Sequence, residues 1–224
     1  NWIITGNFMV ATNCIFNGST ATHSFAGNVT NNGNINFTSG TLLFNPTTTV
    51  SIALGTNKVN CAGIVEFGGS GLINLTGSFN SVNDLTISNT NSNGVTLPAS
   101  LSLNADLLIS RFSTLNAGNY THTIGGSFDN QGILNAETST FIFTGNNITI
   151  SSGLSSFNNL EISGIANPDG DLNVTGNLSI ASSGNLINNP LASINFTGNF
   201  ASVISSANTP FYFSNININK STPA

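Results

Sequence analysis

Leu172-Asn173-Val174-Thr175-Gly176-Asn177-Leu178 returns 22 residues later as Ile194-Asn195-Phe196-Thr197-Gly198-Asn199-Phe200. In both copies apolar residues alternate with polar ones, the period of a strand with one side buried and the other exposed. The Thr-Gly-Asn step interrupts the run, because Gly and Asn tolerate the left-handed backbone that corners use. Apolar residues resume directly beyond it. Strand, corner and strand at a near-constant interval predict a chain wound into a solenoid.

Looser copies surround this phrase. Gly6-Asn7-Phe8 and Gly27-Asn28-Val29 lie 21 residues apart, and the strands starting at His122 and Phe141 lie 19 apart. Val50-Ser51-Ile52 and Ile73-Asn74-Leu75 have the same alternation. Leu85-Thr86-Ile87, Val95-Thr96-Leu97, Leu101-Ser102-Leu103 and Leu107-Leu108-Ile109 read as successive sides of one coil. A second marker, a Phe shortly before Leu85, Leu160 and Ile216, fits whole multiples of the same interval. The reading is a rung of about 19 to 22 residues, with extra length absorbed at corners such as a loop over Ile165 to Asp171 around Pro168. That predicts about ten to twelve rungs and, at ~4.8 Å per rung, a rod of roughly 50 Å.

The fold class expected is all-β, a right-handed parallel β-helix forming a single domain over residues 1–224, with looser repeats in 1–76 and clearer ones in 77–220. The right hand follows from the crossover rule for parallel strands. No window carries the i, i+3, i+4, i+7 apolar spacing of a helix. An antiparallel β-sandwich is the alternative, since it too has short strands every 8 to 12 residues. A sandwich does not require one phrase to recur at fixed spacing, which favours the solenoid.

Charged residues are only 5% of the chain, against roughly 25% in an average soluble domain. Polarity is carried instead by 39 Asn, 29 Ser and 26 Thr. Stacked in register, Asn side chains can hydrogen-bond from rung to rung, which accounts for their number without any active site. Three basic residues cannot supply the phosphate contacts of a nucleic-acid partner. No stretch reaches the ~18 unbroken apolar residues of a membrane span, so membrane insertion is not expected. Scarce charge suits a molecule that associates, or one placed in a wall or matrix outside the cell.

The candidate chemistry is sparse, and no catalytic residue, metal centre or cofactor is expected. Asp169 and Asp171, in Pro168-Asp169-Gly170-Asp171, are the closest acidic pair and could hold Ca²⁺; an acidic surface turn is the simpler reading. His23 and His122 stand alone, and His122 falls where Phe141 or Leu172 stands in other copies, so packed imidazoles are expected. Cys14 and Cys61 are compatible with one disulfide or with two free thiols. Neither end carries a recognisable cap: Trp2, Ile3 and Ile4 open the chain already strand-like, and Ile216 and Ile218 close it. A solenoid end presents an open strand edge. Either the chain is a piece of a longer repeat protein, or copies stack end to end or exchange a strand.

Phe157-Asn158-Asn159-Leu160-Glu161-Ile162, Leu172 to Ile180 and Ile194 to Phe200 resemble the repeats of large secreted surface proteins of Bacteroidetes-type bacteria, adhesin-like or filamentous. The resemblance implies an extracellular or cell-surface setting and a structural or adhesive role, with no catalytic residue to carry over. The leading expectation is a non-enzymatic filament or surface-stalk subunit that forms a homopolymer. An adhesin segment binding glycans and a polysaccharide-acting β-helix enzyme are the alternatives.

Overall fold

The short alternating runs become strands that pair in parallel with their counterparts in the next turn, except that no ladder joins Ile73–Thr76 to Val95–Thr96 or Ile133–Asn135 to Ser156–Phe157. The structure, a computed structural model, describes residues 1–207 and 213–221. Within them the chain is all-β, a parallel β-solenoid of about ten turns with no helix. Each turn has three sides. A first face runs from Trp2–Ile4 through Thr22–Phe25 and Thr41–Phe44 to Asn185–Leu186. A second face begins with Phe8–Val10 and Val29–Asn31 and ends at Ile216–Ile218. A third begins with Ile15–Ser19 and Asn34–Phe37 and ends at Ile204–Ser206. Val59–Phe67 and Ser81–Ile87 run unbroken from the third face onto the first, joining those two into one sheet.

The recurring phrase is in register: Leu172 pairs with Ile194 and Ile194 with Ile216 on the second face. Turn length varies more than its spacing suggests, from 17 residues between Phe157 and Val174 to 26 between Ile180 and Ser206. The second marker is overturned. Leu85 lies on the first face, Leu160 on the third and Ile216 on the second. All three faces use the same apolar-polar-apolar run, so matching runs need not share a face. Likewise His122 aligns with Phe141 on the third face, whereas Leu172 belongs to the second. The loop expected at Ile165 to Asp171 is also corrected: Ile165–Pro168 is a strand paired with Asn146–Ser151. Pro168 closes it, beyond the last pairs with the following turn, where no ladder N–H is required.

Inward side chains stack in columns along the axis. On the first face Phe25, Phe44, Phe67, Ile87 and Ile109 succeed one another, all buried. The rings of Phe44 and Phe67 lie 16° from parallel with centroids 5.2 Å apart. Each such side chain removed from water contributes about 1.5–3 kcal/mol. The two corner glycines of the founding phrase have different physical reasons. Gly198 has φ +87°, which a side chain would strain. Gly176 does not; a Cβ there would lie 2.7 Å from the Asn158 carbonyl oxygen.

Asparagines form the expected ladders. Asn60 Nδ2 donates to Asn36 Oδ1 at 3.0 Å and Asn80 Nδ2 to Asn60 Oδ1 at 2.6 Å. Asn217 donates to Asn195 at 2.8 Å, and Asn195 to Asn173 at 2.9 Å. A second device lies inside the corners. Buried Asn89 donates to the carbonyls of Gly68 and Gly71 at 2.7 and 3.1 Å and accepts the Asn91 N–H at 3.0 Å. Three backbone groups thus depend on one amide. Asn89→Ala is expected to cost about 1–3 kcal/mol by stranding them, and Asn80→Ala on the exposed ladder about 1 kcal/mol or less. Urea unfolding of the two variants checks the order.

Candidate functional site

At the axial ends the structure leaves inward-facing apolar side chains uncovered, in addition to exposed ones along the sides such as Phe112 and Leu154. Strand parity decides which residues face along the axis. Trp2 and Ile4 align with buried His23 and Phe25, so they continue inward columns and are exposed only at the end of the rod. Ile216 and Ile218 align likewise with buried Ile194 and Phe196. Ile3 is different: it is 81% exposed and pairs with outward Ser24, so it belongs to the lateral surface and not to the axial end.

Two end residues escaped the sequence reading. Phe8 aligns with buried Val29 and Phe16 with buried Ile35, which brings Trp2, Phe8 and Phe16 together from three faces. Ring centroids are 5.4 Å apart for Trp2 and Phe16 and 5.1 Å for Phe8 and Phe16. This aromatic plug meets the range in which ring pairs attract. The signal for it was the alternation itself, since Phe8 and Phe16 occupy inward parity in their strands. At the opposite end the exposed inward residues among those described include aliphatic Ile204, Ile216 and Ile218.

The carboxylates are mostly spent on hydrogen bonds between or within turns. Asp84 accepts the Asp106 N–H at 3.0 Å, and Asp106 accepts that of Ser127 at 2.7 Å. Glu66 accepts Ser88 Oγ at 2.6 Å and Glu161 accepts Ser163 Oγ at 2.7 Å. The Ca²⁺ candidate pair is exposed, and Asp171 already uses Oδ1 for the Ser193 N–H at 2.8 Å and Oδ2 for Asn195 Nδ2 at 3.3 Å. An acidic corner fits this bonding better than a cation cage. Among the described residues no cluster of three or more His, Cys, Asp or Glu could hold a metal ion.

Both imidazoles are packed in the same way. His23 Nδ1 accepts the Trp2 N–H at 3.2 Å and its Nε2 lies 3.0 Å from the Gly18 carbonyl. In His122, Nδ1 accepts the Leu101 N–H at 3.1 Å and Nε2 lies 2.9 Å from the Ala117 carbonyl. An acceptor at Nδ1 and a carbonyl at Nε2 require the neutral Nε2–H form. Burial lowers the His122 pKa from 6.5, outweighing the Ala117 hydrogen bond. The folded state therefore resists a proton that the unfolded chain accepts, so stability falls as pH drops below about 6.5 towards the lowered value. His122→Phe, matching Phe141 in the next turn, is expected to flatten that slope in pH-dependent urea unfolding. It also strands two backbone groups, costing about 1–3 kcal/mol at neutral pH.

Of the two readings left open for the cysteines, the structure adopts free thiols. Cys14 is exposed in the first turn, and Cys61 is buried two turns further on. Two turns span about 10 Å, beyond the ~7 Å Cα reach of a disulfide. Burial pushes the Cys61 thiol pKa up, and its Sγ donates to the Ile64 carbonyl. A disulfide-exchange reagent is expected to titrate Cys14 promptly in the native protein and Cys61 only after unfolding.

Among the described residues no helix is long and apolar enough to cross a membrane. Family models, curated proteins and solved structures give no significant match to this chain. The functional reading therefore rests on its own geometry.

Proposed function

We propose that the chain is a non-enzymatic structural element, the shaft of an extracellular filament or surface stalk, in which one copy covers the end of the next. The observation that carries this reading is the pair of apolar axial ends. Trp2, Phe8 and Phe16 at one end and Ile204, Ile216 and Ile218 at the other continue the columns of the core. The end strands pair on one side only within the described residues, and an open parallel edge is completed by another parallel strand. A second copy, like a further turn of the same chain, offers that strand in the same three-sided cross-section. Head-to-tail contacts of this kind do not close, so they propagate into a fibre. Covering each large end side chain is worth about 1.5–3 kcal/mol. The low charge supports an associating molecule outside the cell, because little electrostatic repulsion opposes contact.

Electron microscopy of the purified chain at increasing concentration tests the proposal. Rods growing in multiples of roughly 50 Å are expected, the unit set by about ten turns at ~4.8 Å. Trp2→Asp or Ile216→Asp places an uncompensated charge at the junction and is expected to leave single units, with circular dichroism unchanged. Isolated short rods of the unaltered chain at high concentration would overturn the reading.

A further inference from the structure

A second feature lies on the side of the solenoid, along the corner between the second and third faces. In four successive turns the connections there differ in length. Four residues join Ile133–Asn135 to Thr140–Phe143, and one joins Ser156–Phe157 to Asn159–Ile162. Three join Leu172–Val174 to Leu178–Ile180, and seven join Ile194–Phe196 to Ile204–Ser206. Two short corners thus lie between two longer ones, and the result is a shallow trough of about 350 Å³. From wall to wall it spans three rung steps, roughly 14 Å.

One wall carries Glu137 and Thr138, the floor Asn158 and Thr175, and the other wall Gly198, Asn199 and Phe200. Phe200 is 83% exposed, whereas Phe128, Phe141, Phe143, Phe157 and Phe196 are sealed in the core. Glu137 holds φ +50°, an unfavourable backbone for a residue with a side chain. It is the one charged residue of the lining. The floor is held in place: Thr175 Oγ1 donates to the Phe157 carbonyl at 3.3 Å and lies 3.4 Å from Asn158 Nδ2. On the first wall Thr138 Oγ1 donates to Asn119 Oδ1 at 2.7 Å.

We propose that this trough binds an uncharged oligosaccharide. A sugar ring has an apolar C–H face and a rim of hydroxyls, and the trough has one partner for each. Phe200 offers an exposed ring for the C–H face. Glu137 opposite accepts hydroxyl hydrogens, and charge-assisted acceptors are the stronger kind. The floor offers one amide, Asn158, and one hydroxyl, Thr175, a single rung step apart, so adjacent turns can each meet part of a bound sugar chain. Glu137 is the charged residue of the lining, and the nearby Lys220 ammonium is engaged by the Thr175 and Thr197 carbonyls, so an acidic polysaccharide is disfavoured. The trough is lateral, so this binding does not depend on end-to-end assembly.

Heteronuclear NMR of the purified chain, titrated with cellohexaose, chitohexaose and hexagalacturonate, tests the assignment. At least one of the two uncharged hexasaccharides is expected to shift the resonances of Asn158, Thr175, Gly198 and Phe200 and to saturate. Hexagalacturonate is expected to leave them in place. Phe200→Ala should weaken binding at least fivefold, and Glu137→Gln should weaken it less, both with unchanged circular dichroism. No shift from either uncharged probe, shifts confined to another surface, or undiminished binding by Phe200→Ala would each overturn the proposal.

Discussion

In-register parallel pairing is the constraint on which the rest depends. Once Leu172 sits against Ile194 and Ile194 against Ile216, like residues are forced above one another. Inward positions must then tolerate their own neighbours at ~4.8 Å, a condition that Phe, Leu, Ile and Val satisfy by stacking. Outward positions face the same condition, and a column of like charges would repel. Asn meets it because its amide donates to one neighbour and accepts from the other, as Asn195 does between Asn217 and Asn173. The unusual composition is a consequence of the stacking rule.

The same rule shapes the polar interior. Asn89, Asn31 and the two histidines are buried, yet each reaches backbone groups at a corner. The corners are where the chain leaves the ladder and its N–H and C=O groups lose their strand partners. A side chain with both a donor and an acceptor closes that gap from within. Imidazole and carboxamide do the same work here, although the buried Oδ1 of Asn31 is left without a partner.

Alternation and recurrence made the solenoid legible in the sequence, because strand parity and a fixed interval are local properties. The face on which a run falls was not legible. Leu85, Leu160 and Ile216 read alike but sit on three different faces, since each turn uses the pattern three times. Pro168 suggested a loop because proline breaks ladders, but its place at the close of a strand removed the conflict. Trp2, Ile216 and Ile218 were found as end residues, while Phe8 and Phe16 required the register to show which way they point. The lateral trough was invisible, because it arises from a difference in length between neighbouring corners and from no motif.

The amide ladders have a mechanical consequence. Backbone hydrogen bonds and the Asn-to-Asn bonds both run along the rod, so a pull on its two ends loads all the bonds of one junction between turns together. Tension passes through these junctions in series. The rod therefore parts at the junction with the fewest side-chain links, and only an asparagine pair added across that junction raises the force it withstands.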